Sequence, residues 1–246
     1  MRKPNKQSKG LQYVMYGKHA VFSAIKNKNR EIFNIYATDS VYKSNQAIFS
    51  NHDINIVDQN FIASKLNSDH ARESHQGIIA IVKPLNNSDI MDLIEKSGHD
   101  RIAILDQITD PQNIGAIIRS AAAFGITKII APIDGTPVEN GAIAKSSVGC
   151  LELMQIARVV NLKKSIDTLK KNGYWIAGLD GSGKDKAENL KNVEKLAIII
   201  GSEGKGMRRL TQESCDYTVS IPISDKVESL NAASAASIMF YALGNI

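Results

Sequence analysis

The stretch LAIIIGSEGKGMRRLTQESCDYTVSIPISDKVESLNAASAA, Leu196–Ala236, decides how the remainder of the chain is read. It opens on five consecutive apolar residues, Leu196–Ile200. A strand with one wet face would alternate, so this run reads as a strand buried on both faces. It passes directly into Gly201-Ser202-Glu203-Gly204-Lys205-Gly206, whose glycines mark a loop with demanding backbone angles. A second strand, Tyr217–Ile223, closes at Pro222 and a polar loop, after which Ser229 fits the N-cap of an Ala/Ser-rich helix running to Leu243. Strand ends that carry glycine and proline loops leave main chain open, and a flat ligand can lie against it.

Outward from this stretch the same alternation continues. Arg101–Leu105, Lys128–Ala131, Leu153–Val159 and Tyr174–Leu179 read as further strands, separated by helical patterns at Asn113–Phe124, Asn140–Val148 and Leu162–Asn172, with another at Met207–Ser214. Apolar strands alternating with helices imply an α/β domain with a mostly parallel sheet covered on both faces, and such sheets bind ligands at the carboxyl ends of their strands. The first third is shorter-paced. A helix from Tyr16 to Ile25, a strand at Glu31–Ala37, a helix at Ser44–His52, a strand at Ile54–Val57, a helix at Gln59–Leu66 and a strand at Ile78–Val82 make a small αβαβαβ unit. The expected organisation is a basic flexible tail over residues 1–12, a small α/β domain over 13–84, a linker over 85–100 and the large domain over 101–246.

Composition narrows the class. Apolar content of 43% and charged content of 22% suit a soluble globular protein, and no apolar run approaches the roughly 20 residues of a membrane span. The basic N-terminus lacks the apolar core of a signal peptide, which points to the cytoplasm. The two cysteines stand far apart, and with the scattered histidines they offer no metal-ligand spacing. Residues 1–30 hold eight of the 30 Lys/Arg and no acid, leaving 22 basic against 25 acidic residues elsewhere, so the net charge of +5 is carried at the N-terminus. A solvated tail and an arm that neutralises nucleic-acid phosphates both fit that distribution.

Four motifs carry chemistry. In Asp106–Ala121, DQITDPQNIGAIIRSA, Asn113 is placed to cap a helix in which Arg119 sits among Ile, Ala, Ser and Gly. Most arginines simply reach solvent, but neighbours this small let a guanidinium approach another backbone or a phosphate. Gly178–Asp185, GLDGSGKD, nearly matches the phosphate-binding G-x-x-x-x-G-K-[ST] loop, yet Asp185 replaces the magnesium-binding hydroxyl with a negative charge. A tight turn at the top of the sheet explains it better, and a P-loop NTPase is disfavoured. In Gly201–Met207 the glycine spacing is not a dinucleotide fingerprint, and Glu203 reads either as an exposed turn residue or as a buried acid needing a cation such as Arg119. The fourth, Ile221–Ser237, places Ser229 and Asn231 at a helix start.

Taken in order, DPQNIGAIIRSAAAFG, IIIGSEGKGM and IPISDKVESLNAASAASI resemble the three signature motifs of the SpoU (TrmH) family, RNA ribose 2′-O-methyltransferases of the SPOUT superfamily. The resemblance covers residues 101–246 with no departure at the core motif positions. YGKHAVFSAI and HQGIIAIVKP are similar to that family's L30e-like substrate-binding domain. The resemblance implies a sheet whose C-terminal part threads a deep trefoil knot, an exception to the rule against threaded loops. It implies S-adenosyl-L-methionine as cofactor, held by Gly201, Ile221 and Leu230 with Leu179 and Gly181 alongside. It makes Asn113, Arg119, Glu203, Ser229 and Asn231 the active-site positions, with no metal, and two subunits complete the site as a homodimer. The implied partner is RNA, a guanosine of 23S rRNA first and tRNA as the alternative; a non-catalytic RNA-binding protein is a third reading, against which the intact active-site set argues. No histidine lies in these motifs. Because guanidinium keeps its proton to above pH ~12, Arg119 is expected to act as a cation, held in orientation by Glu203 and Asn113.

Overall fold

The computed structural model describes residues 11–67, 74–204 and 206–243. Residues 1–10 of the expected tail and Lys205 of the glycine loop lie outside this set. The described residues fall into two compact units: those up to Leu85 together with Glu139–Lys145, and Asn86–Val138 together with those from Ser146 onward.

The first unit opens with a strand that the periodicity did not announce, β1 (Tyr13–Tyr16), too short at four residues to show alternation. There follow α1 (Lys18–Lys26), β2 (Ile32–Ala37), α2 (Asp39–Ser44), α3 (Gln46–Phe49), β3 (Ile54–Ile56), α4 (Gln59–Ser64) and β4 (Ile78–Val82). The sheet order is β1-β4-β2-β3. Strand β4 runs antiparallel to both neighbours, and only β2 and β3 are parallel. Tyr16, Ile62, Leu66 and Ile79 form one buried cluster. The segment Glu139–Lys145, far away in sequence and carrying most of α7 (Gly141–Ser146), is tied into this unit by a buried ion pair. Glu139 Oε1 accepts from Arg30 Nη1 at 2.6 Å and from the Tyr13 hydroxyl at 2.6 Å, while its Oε2 accepts from the Leu85 backbone N–H at 3.1 Å. No local pattern signals this attachment, because a charge pair 109 residues apart has no period.

The second unit contains α5 (Ile90–Leu93), β5 (Asp100–Asp106), α6 (Pro111–Ala123), β6 (Lys128–Pro132), β7 (Gln155–Val159), α8 (Leu162–Lys171), β8 (Trp175–Leu179), β9 (Lys195–Gly201), α9 (Arg209–Gln212), β10 (Tyr217–Val219) and α10 (Ala232–Leu243). Its six strands lie in the order β10-β8-β9-β5-β6-β7, and every pairing is parallel. The α/β reading with a mostly parallel sheet is therefore right. Leu196–Ile200 is buried throughout at the middle of the sheet, as its unbroken apolar run requires. On one face Ile102, Ile104, Ala197 and Ile199 pack with Leu162, Ile166 and Leu169 of α8. Alternation turns Ala103, Leu105, Ile198 and Ile200 to the other face. There α6 and α10 pack together, with Ser120 and Ser237 hydroxyls 2.7 Å apart.

Several element ends differ from expectation, each for a local reason. Helix α6 starts at Pro111 and is capped by Asp110, whose side chain accepts from the Gln112 N–H at 3.0 Å. Proline at the first helical position needs no N–H partner, so it begins this helix and Asn113 lies inside it. Ser229 does not cap α10; Asn231 does, its Oδ1 accepting from the N–H groups of Ala233 (2.9 Å) and Ser234 (3.3 Å). The strand expected to Ile223 stops at Val219, where Asp185 occupies the neighbouring main chain and Pro222 offers no donor. The expected strand Leu153–Val159 begins at Gln155 after a 3-10 turn at Cys150–Leu153, and the helix expected over Met207–Ser214 is the single turn α9. No helix among the described residues is long and apolar enough to cross a membrane.

Glu139→Ala takes the carboxylate from an Arg30 side chain that is 0% exposed and should cost about 3–5 kcal/mol in urea denaturation. The double variant Arg30→Met/Glu139→Leu, which buries no charge, should recover most of that loss. His75 supplies a pH test. Burial, and then the Lys145 charge, hold its imidazole below the ordinary value, and its Nδ1 accepts from the Gly77 N–H at 2.9 Å. The unfolded chain takes up the proton near pH ~6.5 while the folded one resists it, so this stability is present above that pH and is lost as pH falls below it. His75→Asn, which keeps an acceptor for Gly77, should flatten the pH dependence of the melting temperature between about pH 7 and 5.

Candidate functional site

The carboxyl ends of β8, β9 and β10 open into a cleft of about 800 Å³, walled on its far side by the irregular chain between Ser220 and Leu230. Two close backbone approaches shape it. A Cβ at Gly201 would sit 2.5 Å from the Met207 nitrogen, so only glycine lets the chain fold back there. The return is closed by a two-way main-chain pair, Ser202 N–H to Gly206 C=O at 3.0 Å and Gly206 N–H to Ser202 C=O at 2.9 Å. Two residues beyond the cleft-lining Gly181, a Cβ at Gly183 would meet the Thr218 carbonyl oxygen at 2.5 Å. Asp185 explains why the near-match to a phosphate loop is no such loop. Its main chain bonds to Thr218 and Ser220, and its carboxylate accepts from the Thr218 N–H at 2.8 Å, filling the place where a phosphate-binding loop would stand open.

All five positions expected to hold the cofactor, Leu179, Gly181, Gly201, Ile221 and Leu230, line this cleft. Glu203 and Ser229 line it too; Asn113, Arg119 and Asn231 do not. Three of the five expected active-site residues are nevertheless joined. The Asn231 Nδ2 group donates to Asn113 Oδ1 at 2.9 Å and approaches Glu203 Oε2 at 3.3 Å. Asn231 thus caps α10 with its oxygen and holds a helix and a loop residue with its nitrogen. The expectation that Glu203 and Asn113 orient Arg119 is not met: both are engaged by Asn231. Arg119 is exposed on α6 and has no hydrogen-bond or ion-pair partner among the described residues. The Ser229 hydroxyl likewise has none.

The cleft suits a nucleoside-bearing ligand. The backbone N–H groups of Ile221, Ile223 and Leu230 have no partner among the described residues, and Ile221 and Leu230 are half-buried apolar walls. Unpaired main-chain donors beside apolar walls are what a flat heterocycle with polar edges requires. Among the described residues no group of three or more His, Cys, Asp or Glu side chains is placed to hold a metal ion.

Sequence reasoning passed over one pair. Asp106, last residue of β5 and register partner of Gly201, is 0% exposed. Its Oδ2 accepts from the Arg208 N–H at 2.9 Å and its Oδ1 from Arg208 Nε at 2.7 Å. A carboxylate ending an unbroken apolar strand run was the available signal, since a buried acid must be paired.

Comparison with known proteins finds relatives over nearly the whole chain. Residues 100–241 match the model of the SpoU rRNA Methylase family, and residues 14–88 match that of the RNA 2′-O ribose methyltransferase substrate binding domain. A Staphylococcus aureus (strain MSSA476) protein named for the TrmH family of tRNA/rRNA methyltransferases is 38% identical over 234 residues, covering 93% of this chain and 94% of its own. Among solved structures, the SpoU methyltransferase AviRb from Streptomyces viridochromogenes, in complex with the cofactor AdoMet, has a TM-score of 0.80 at 23% identity, covering 94% of this chain and 89% of its own. An AdoMet-bound rRNA methyltransferase from Sinorhizobium meliloti has a TM-score of 0.78 at 20% identity, covering 94% and 86%. At these identities the two structures show a shared fold.

Asn231→Ala should cost about 0.5–2 kcal/mol through loss of the α10 cap, whereas Asn231→Ser, which retains a capping oxygen, should lose less. Chemical denaturation of the two variants checks this, and equal losses would contradict the capping role.

Proposed function

The chain belongs to the SpoU methylase family of RNA methyltransferases, and from that premise we propose that it methylates the ribose 2′-hydroxyl of a guanosine in 23S rRNA, using S-adenosyl-L-methionine. The observation that carries the reading is the joining of Asn113, Glu203 and Asn231 beside a cleft lined by all five expected cofactor positions. The residues present fit the cofactor: a roomy cleft, apolar walls at Ile221 and Leu230, and unused main-chain donors. S-adenosyl-L-methionine, when bound, supplies an electrophilic methyl group, and the rest of the chemistry falls to the protein.

In this reading Gly201 and the Ile221–Leu230 wall orient the nucleoside, and the close packing around Gly201 keeps that orientation rigid. Arg119 presents an uncommitted guanidinium. It remains a cation, grips the phosphate next to the target ribose and stabilises the negative charge that grows on the 2′-oxygen, as an oxyanion hole does. Asn231 sets the spacing of Asn113 and Glu203 at the mouth of the cleft. Ser229, exposed on the cleft wall, is assigned to the substrate side. The unit that matches the substrate-binding model, with the basic tail before it, holds structured RNA so that one ribose reaches the cleft. A trefoil knot in the 101–246 domain and pairing of two copies belong to the same proposal; exposed Ile238 and Tyr241 on α10 support the pairing. The work place is the cytoplasm, where the RNA is.

The alternative within the family is a tRNA ribose, favoured by the double designation of the relatives. Incubating the protein with labelled cofactor and 23S rRNA or tRNA, then mapping 2′-O-methyl positions, separates the two; label on neither RNA would refute the reading. Arg119→Ala should lower transfer by at least about 100-fold, as loss of an oxyanion-stabilising group does, with cofactor binding retained. Arg119→Lys, which keeps the charge and loses the planar fork, should also fall well below wild type, and near-normal turnover by it would rule out the role of the fork.

A further inference from the structure

The arginines of the large unit differ in what their terminal nitrogens do. Arg158 gives both Nη groups to the carbonyls of Pro137, Ile133 and Thr136. Arg101 gives its own to the carbonyls of Asp100, Glu194 and Lys191. Both are structural, bracing loops from within. Arg209 pairs its Nη1 with Glu213 one turn along, a solvent-exposed helix pair. Arg208 is built otherwise. Its backbone N–H and its Nε are both taken by the wholly buried Asp106, while Nη1 and Nη2 have no partner among the described residues. The side chain is 40% exposed, so the guanidinium is gripped on its inner edge and open on its outer one.

We propose that Arg208 is a preorganised phosphate contact for the RNA substrate, its free Nη edge set toward the RNA backbone by the buried carboxylate of Asp106; this rests on the RNA-methyltransferase reading above. Three observations favour this over simple charge balance. Neutralising a buried acid requires only one cationic donor, and here that is done through Nε, leaving two donors in the fork geometry that matches phosphate oxygens. The grip removes side-chain freedom before binding, so less entropy is lost when an anion arrives. The position is also suitable: Arg208 follows directly on Gly206 and Met207, which close the loop that carries Glu203. Arg208 does not itself line the cleft, so the anion it meets lies outside the cofactor's volume, where the RNA backbone would run.

The test is RNA binding by the full-length protein at several salt concentrations, with cofactor binding measured in parallel by calorimetry. Arg208→Gln keeps one amide donor for Asp106 and removes the charge and the fork. It should weaken binding of the RNA that wild type methylates by about tenfold, the usual scale for losing one charge-assisted contact. It should also lower the slope of log affinity against log salt by about 0.7–0.9, the share of one phosphate, with cofactor affinity within about twofold of wild type. Asp106→Asn/Arg208→Gln, which leaves no buried charge, should show the same slope change and guards against misfolding of the single variant. Asp106→Asn alone loosens the fork but retains its charge, so affinity falls with the slope kept. An unchanged RNA affinity and slope in Arg208→Gln overturns the proposal. So does a parallel loss of cofactor affinity, which would mark the pair as a loop brace only. In either case methylation by wild type leaves the functional reading standing, whereas a wild-type protein that binds no RNA refutes both.

Discussion

At Gly201 the central strand β9 ends, and six residues later the chain passes back across it with the Met207 nitrogen at a distance no side chain would permit. The two-way pair between Ser202 and Gly206 closes that return. Asp106 at the end of the neighbouring strand fastens Arg208 immediately beyond it. Glu203 is carried at the tip of this tightly closed loop, and its place beside Asn231 follows from the closure. The cleft owes its floor to the same crossing, because a bulkier residue at Gly201 would push the return segment off the strand ends.

The other wall is irregular for equally specific reasons. Beyond Val219 the chain has no strand partner: Asp185 lies alongside, and Pro222 has no N–H to pair. Irregular chain inside a folded domain normally carries unmet backbone polarity at a cost. Here the unmet donors of Ile221, Ile223 and Leu230 lie against or beside an open cleft, where a ligand or water can satisfy them. The substitution that removes phosphate-loop chemistry at Asp185 thus also frees the wall that the cofactor reading needs.

Much of this was legible in the chain. The unbroken apolar run at Leu196–Ile200 identified a doubly covered parallel strand, since only burial on both faces tolerates it. The three motifs named the residues that line the cleft or stand at its mouth. Helix starts were less legible. Asn113 was expected to cap the helix that Asp110 caps, and Ser229 the one that Asn231 caps; all four are capping residue types, and only the path of the chain selects one. Arg119 was expected to be held by Glu203 and Asn113, yet Asn231 engages both. That competition between one amide and one guanidinium for the same two acceptors is decided by three-dimensional distance.

By itself the sequence determined the alternating α/β plan, the family, the glycine at the crossing and the identities of the residues around the cleft, because periodicity, backbone freedom and motif spacing are local properties. The tertiary structure decided which of those residues meet. It drew Asn113, Glu203 and Asn231 together across 118 positions and attached Glu139 to Arg30, 109 residues before it, within the first unit. It also aimed the inner edge of Arg208 at a carboxylate 102 residues before it. Hydrogen bonds and buried ion pairs have ranges of a few ångströms and no sequence period, so their partners are set only when the sheet brings distant strand ends side by side.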